Sequence, residues 1–598
     1  MIMRLADYMA DFLVENGITH QFSITGGGAM FLNDAFGHKE GLKVIYNHNE
    51  QGCSIAAEGY ARASGKICSV CVTTGPGGTN ALSGVMGAYV DSIPMFVISG
   101  QVKFTTTLAS CPHLPLRQLG DQEFPIIECA KTMSKYAVMV TDPNTIRYHM
   151  KKALFLATHG RPGPVWLDIP INVQSAKIDT DALLDYDEAE DRGEYAPLPD
   201  KNQIDELMER LSNAKRPVIL AGDGIRISGT QKEFLRLVEK WKIPVCTAWN
   251  SHDLLSDSNP CNAGRPGTVG TRGGNVVLQT ADFVLALGCR MNIRIVSYNW
   301  ENFAKNAYMA AVDIDRAELE KPTLHVDLKL HNDLRDIFPV LLQRDYTPRH
   351  ETWRAWANEV AFRFPADLPS YYEKSAPVNP YVFMKQLSKD LKDDELVVAS
   401  NGSACVCAFQ AMEIKDTQRI FTNSGSASMG YGLPAALGAA VWANGKRVIC
   451  LEGDGSIQMN LQELQTIVGN GLNVKIVWLN NEGYHSIRQT QTNTFHANFC
   501  GVSEGNGVSF PEAERIAYAY RLPFHRVERN EDVHEVVSAW LAEEGAAMLE
   551  VVLDKEQFFA PKLSSKTLPD GSIVSPSLED MFPFLEESEK PVLPEELL

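Results

Sequence analysis

Two apolar runs in the chain each end on an oxygen-bearing side chain. Val448-Ile449-Cys450-Leu451-Glu452-Gly453-Asp454-Gly455-Ser456 closes on a carboxylate set between glycines, and Val474-Lys475-Ile476-Val477-Trp478-Leu479-Asn480-Asn481-Glu482-Gly483 closes on an amide 27 residues after Asp454. That spacing has room for a tight turn, a helix over 461–470 and a return strand. A strand-helix-strand crossover of this length makes the two strands near neighbours, so both side chains face one crevice at the strand ends. A carboxylate, an amide oxygen and a nearby backbone carbonyl are hard ligands suited to Mg²⁺ or Ca²⁺. Gly453 and Gly455 allow close backbone approach to a phosphate, and the turn through Ser456 into a helix N-terminus favours its charge. The predicted chemistry is a metal-bridged diphosphate. Two ordinary turns are the alternative, weakened because both end apolar strands.

A second carboxylate opens a helix of small residues. Tyr46-Asn47-His48-Asn49-Glu50-Gln51-Gly52 precedes Ala56-Ala57-Glu58-Gly59-Tyr60-Ala61-Arg62-Ala63-Ser64-Gly65-Lys66. Read alone, Glu50 is an acid favoured by the helix dipole. Together, Gly-Asp-Gly, the crossover and Asn-Asn resemble the motif of thiamine diphosphate enzymes. That resemblance implies Mg²⁺ held by Asp454, Asn481 and the Gly483 carbonyl. The segment around Glu50 is similar to the one that carries this family's activating glutamate. There a carboxylic acid protonates the cofactor's aminopyrimidine N1′, so that its 4′-amino group becomes an internal base. Thr73-Thr74-Gly75-Pro76-Gly77-Gly78-Thr79-Asn80 resembles the family's glycine-rich turn beside the cofactor, with Gly75 and Gly77 in contact. Ser424-Gly425-Ser426-Ala427-Ser428-Met429-Gly430-Tyr431-Gly432 resembles the loop whose bulky apolar residue wedges the cofactor into a V. By that likeness Met429 is the wedge and the Ala427 carbonyl accepts from the 4′-amino group, with alanine replacing the usual glycine.

The resemblance spans residues 5–553 and is nearest to acetolactate-synthase-like enzymes. It implies decarboxylation of a small 2-keto acid such as pyruvate, with transfer of the remaining unit to a second carbonyl compound. It also implies a homo-oligomer, at least a dimer, whose active site forms where the glutamate of one subunit meets the metal motif of another. Leu287-Gly288-Cys289-Arg290-Met291-Asn292-Ile293-Arg294 resembles the stretch with a substrate-facing arginine, here Arg294, and Asp121-Gln122-Glu123 keeps a glutamine of the donor site. Gly222-Asp223-Gly224 is a degenerate form of the first contact to FAD, which the family's middle unit often holds. Two departures concern the ligands. Asn401-Gly402 stands where a diphosphate-side Gln-His is usual, and Thr490 stands where acetolactate synthases carry a tryptophan. A short hydroxylated side chain leaves a roomier, more polar acceptor side, with His485 and Arg488 as candidate hydrogen-bonding partners. The acceptor is then a 2-keto acid or a larger ketone such as a nucleotide-linked keto sugar. The alternatives are a simple 2-keto acid decarboxylase, a FAD- or NAD-binding oxidoreductase and a non-catalytic homologue. The oxidoreductase lacks a clear Gly-x-Gly-x-x-Gly after a first strand.

The elements that must position these residues alternate along the chain. Helices are predicted over 5–16, 51–64 and 79–90, and strands over 20–25, 43–47, 67–74, 95–100 and 165–169. Strands alternating with helices predict open, mainly parallel sheets covered on both faces. Three α/β domains follow: a pyrimidine-binding domain over 1–178 with Glu50, a central domain over 200–340, and a diphosphate- and Mg²⁺-binding domain over 380–556. The stretches 179–200 and 345–380 read as linkers, and 557–598 as a tail, either a mobile flap or a surface extension.

Bulk properties fit. The chain has 598 residues, 44% hydrophobic and 22% charged, enough for about three or four domains. A net charge of −19 argues against nucleic acid and anionic membranes as partners. No apolar stretch reaches a membrane span, and the first residues read as an amphipathic helix, so a cytoplasmic location is expected. Twelve scattered cysteines form no disulfide framework. Cys68 and Cys71 lie three apart in a strand and face opposite sides, and Cys405/Cys407 likewise read as buried thiols.

Overall fold

The computed structural model describes residues 1–567 and 570–598. Three parallel sheets organise them. The first has six strands in the order Lys43–Tyr46, His20–Ser23, Cys68–Val72, Met95–Gln101, Pro164–Pro170, Tyr136–Met139. The central one has five, Val245–Thr247, Pro217–Ala221, Phe283–Leu287, Tyr308–Asp313, Leu328–His331. The third again has six, Arg419–Phe421, Leu396–Ala399, Val448–Gly453, Val474–Asn480, Ala547–Val552, Phe524–Val527. Numbered by their place within each unit, the strands of the first and third sheets share the order 2-1-3-4-6-5. These are the three α/β units that the alternation predicts.

Near-continuous apolar strands with helices against both faces explain the parallel pairing. Along Cys68–Val72 every residue is buried. Cys68, Val70 and Val72 enter one core and Cys71 enters the opposite one, so the two thiols do face apart. All twelve cysteines are free thiols.

The first and third units share a core. The Glu50–Ser64 helix crosses the Gly432–Ala443 helix so closely that a Cβ on Gly59 would lie 2.3 Å from the Ala435 carbonyl oxygen. A Cβ on Gly438 would lie 1.9 Å from that of Ala56. Residue 59 meets 435 and residue 56 meets 438, so the helices run antiparallel.

One expectation is corrected, and of the two readings of the tail one holds. The stretch 345–380 is no linker: Glu351–Arg363 is a helix whose Trp353, Ala357, Val360 and Ala361 are buried. The indole of Trp353 donates to the Pro217 carbonyl at 2.8 Å, and the helix lies on Arg272–Thr280, where a Cβ on Gly273 would meet the Val360 carbonyl at 2.2 Å. The tail is a surface extension: Phe559, Leu578 and Leu597 join the core shared by the central and third units. Arg272 donates to the Met581 and Pro583 carbonyls at 3.1 and 2.5 Å. Among the described residues no helix is long and apolar enough to cross a membrane.

Candidate active site

Asp454 and Asn481 follow neighbouring strands, paired Gly453 to Leu479, at the carboxyl edge of the third sheet. The Asp454 carboxylate is buried and accepts from the amides of Gly455 at 2.7 Å and Gly483 at 2.9 Å. Burial pushes its acid up to about 7, a cost that a bound cation would reverse. Asn481 donates through Nδ2 to Ser403 at 3.2 Å, while its Oδ1 is buried with no hydrogen-bond partner. Such an atom costs about 1–3 kcal/mol unless something fills its place. Glu482 and Gly483 have φ of 57° and 137°, and a Cβ on Gly483 would strike the Val502 carbonyl at 1.9 Å. Arg488 holds this turn by donating to the Asn481 and Glu482 carbonyls at 2.9 and 2.8 Å. It is a clasp on this turn, a role the sequence reading did not give it. A Cβ on Gly455 would lie 2.4 Å from the Tyr484 ring, so its missing side chain admits that ring.

The neighbouring strand ends add a hydrogen-bonded rim. Ser456 Oγ accepts from the Gly430 amide at 2.9 Å and lies 3.0 Å from Ser400 Oγ. Asn401 Nδ2 donates to Asn423 Oδ1 and to the Ser428 carbonyl, both at 2.7 Å. Gly402, with φ 86°, opens the Ser403–Ala411 helix toward free space. These bonds shape the loop 423–430, where Ala427 sits at φ 52° and Met429 is 38% exposed. Met429 is therefore an apolar surface, available to a ligand. An alanine at positive φ is strained where glycine is not.

On the first unit, Glu50 starts its helix just after Asn49, whose side chain caps it. Asn80 donates to Glu50 Oε2 at 3.0 Å. Gly75 has φ 59°, and the Gln122 carbonyl lies 2.2 Å from where its Cβ would be. Gly77 brings that turn within 3.8 Å of Glu50 Oε1, measured from a built Cβ. So Glu50, Gly75, Gly77 and Gln122 form one cluster. It is braced from below by groups that carry no local sequence signal: Thr74 donates to Gln101 at 2.5 Å, and Gln101 donates to Asp168 at 3.1 Å and to the Phe124 carbonyl at 3.2 Å. Burial pushes Asp168 up to about 7.

Three residues with a substrate role in the sequence reading lie as follows. Thr490 is exposed and donates to the Ser486 carbonyl at 3.0 Å. His485 is buried between Phe558 and Phe559 of the tail, its Nε2 3.0 Å from the Gln557 carbonyl, and burial lowers it to about 4. Arg294 stacks on the Trp249 ring at 4.7 Å. Trp249, with Gly222, Asp223, Gly224, Gly288 and Asp313, lines a cleft of about 1110 Å³, mouth included, at the strand ends of the central sheet.

The chain is similar to known proteins over nearly all of its length. Residues 3–123 match the N-terminal TPP binding domain of thiamine pyrophosphate enzymes, 204–341 their central domain, and 400–551 their C-terminal TPP binding domain. The chain is 31% identical to the acetolactate synthase large subunit of Lactococcus lactis subsp. lactis, over 94% of both chains. It is 31% identical to the chloroplastic acetolactate synthase 3 of Brassica napus, over 94% of this chain and 85% of that one. A probable acetolactate synthase large subunit of Methanococcus aeolicus is 29% identical, over 95% and 94%.

Proposed function

The chain belongs to the thiamine pyrophosphate enzymes, as a carboligase-type transferase similar to acetolactate synthases, and from that premise we propose that it decarboxylates pyruvate or a similar small 2-keto acid and joins the remaining unit to a second carbonyl compound. The observation that carries the proposal is the unpartnered Asn481 Oδ1 beside the buried Asp454 carboxylate. With the Gly483 carbonyl they make a hard-oxygen set that fits Mg²⁺ bridging a diphosphate. Bound there, thiamine diphosphate supplies a nucleophilic thiazolium carbon and an electron sink for loss of CO₂. Glu50 would hold a proton at the pyrimidine N1′, with Asn80 fixing its other oxygen. Met429 would seat the rings, and the Ala427 carbonyl would accept from the 4′-amino group.

The antiparallel helix crossing supports a two-chain site. It puts the loop 423–430 at the Arg62 end of the Glu50–Ser64 helix, roughly 18 Å from Glu50 at 1.5 Å per residue. One cofactor cannot reach both ends, so Glu50 serves a cofactor held by a second copy. The central cleft lies where strand order reverses, between Pro217–Ala221 and Phe283–Leu287, the usual place for a dinucleotide such as FAD. Free thiols suit a reducing, cytoplasmic setting. An exposed Thr490 leaves the acceptor side open to polar ketones as well as to a second keto acid.

The test is pyruvate consumption by the purified protein with and without thiamine diphosphate and Mg²⁺, with products identified by mass. Acetolactate from pyruvate alone is expected. Acetaldehyde as the sole product would make it a simple decarboxylase. No cofactor-dependent consumption of any small 2-keto acid would overturn the proposal.

A further inference from the structure

The Glu50–Ser64 helix ends in a buried ionic cluster that the chemistry above does not use. Arg62 is completely buried and donates from Nε and Nη2 to Glu58 Oε1 at 2.9 and 2.7 Å. Its Nη2 also donates to Asp91 Oδ2 at 2.7 Å. Asp91 follows the Pro76–Val90 helix and accepts, through both carboxylate oxygens, from the backbone amide of Gly425 at 3.1 and 3.3 Å. Gly425 belongs to the loop with Ala427 and Met429. The cluster thus grips the loop at Gly425 and leaves the residues after it to face a ligand. The fit at Gly425 is close, since a Cβ there would lie 2.3 Å from Asp91 Oδ1.

A buried, hydrogen-bonded ionic cluster is costly as a stabiliser and is best attested as a device that fixes register. A backbone amide bound by both oxygens of a mostly buried carboxylate, itself held by a buried arginine, has little freedom to move. We infer that Asp91, held by Arg62, is a positioning residue: it sets the backbone of residues 424–430 and through it the places of the Ala427 carbonyl and the Met429 side chain. The inference rests on reading those two as cofactor contacts. Misplacing reacting groups by about 1 Å can cost 10²-fold.

The experiment uses the full-length protein with three single variants, Asp91→Ala, Gly425→Ala and Met429→Ala. Turnover is measured at saturating thiamine diphosphate and Mg²⁺, thermal midpoints are recorded, and amide hydrogen exchange is followed in the apo-protein. Asp91→Ala and Gly425→Ala should each lower kcat about 10- to 100-fold at saturating cofactor, with KM for the keto acid changed much less. Exchange should quicken at least about 10-fold in residues 424–430 and stay unchanged across the three sheets. Gly425→Ala removes none of the charged groups and forces the loop backbone away from Asp91, so it tests the inference even if Asp91→Ala fails to fold. Wild-type kcat in folded Gly425→Ala, with unchanged exchange in the loop, would overturn it. If Met429→Ala also turns over normally, the reading of the loop as a cofactor contact fails first. If Met429→Ala is impaired and the other two are not, only the positioning role fails.

Discussion

Asn481 Oδ1 and the imidazole of His252 are both buried without a hydrogen-bond partner, and they have opposite meanings. The amide oxygen belongs to the loop that also binds the Asp454 carboxylate, so the proposed cation would satisfy it. His252 lies between Trp249 and Phe409, its ring 4.4 Å from that of Phe409, and neither nitrogen has a partner. Burial, assisted by the positive charge of Arg265, holds it well below the ordinary histidine value of 6.5. In the unfolded chain it takes up a proton below pH 6.5, and in the folded chain it resists. Stability is therefore complete above pH 6.5 and falls as pH drops, by about 1.4 kcal/mol per unit at most. His252→Leu should remove that slope. Between pH 6.5 and 5 the wild type should lose about 2 kcal/mol more than the variant, measured by urea unfolding. Buried acids such as Asp168 and Glu452, both near 7, titrate alike in the two proteins and cancel in the difference. Equal slopes would mean that His252 finds a proton partner in solution.

At the scale of elements, the crossing of Glu50–Ser64 on Gly432–Ala443 is a helix contact with very little slack. Gly438→Ala puts a methyl against the Ala56 backbone, and overpacking of this kind costs about 1–3 kcal/mol. A lowered unfolding midpoint with an unchanged denaturant slope is the expected result; an unchanged midpoint would show that the two helices can separate freely. Much of this level was readable beforehand. The alternation gave the parallel sheets, and Asp454 and Asn481 stand at adjacent strand ends as their spacing required. The Glu351–Arg363 helix was hidden by the polar sequence around it, although Trp353, Trp356, Ala357 and Val360 keep helical spacing. The brace of Thr74, Gln101 and Asp168 was not readable, because its members come from three different strand ends and share no period. Arg488 lay in view, but only the fold shows that its guanidinium is spent on two backbone carbonyls.

For the molecule as a whole, the proposed division of the site between two chains makes a complementation test possible. Glu50→Gln should lose about 10²–10⁴-fold in turnover yet bind cofactor. Asp454→Ala should instead lose cofactor affinity, because the diphosphate charge is left without its metal. Neither homodimer works. Unfolded together and refolded, or co-expressed, they should recover about a quarter of wild-type activity, since half the dimers are mixed and each mixed dimer has one intact site. No recovery, with mixed dimers present, would place Glu50 and Asp454 in the same chain's site. The shared strand order 2-1-3-4-6-5 gives this division a history. A chain that winds the same sheet twice reads as a doubled ancestor, in which both halves once had equal claim to either end of the ligand. On the proposed reading the two copies have become unequal, with the acid in one and the metal ligands in the other, so a defect in either half would be made good only by the intact half of a second chain.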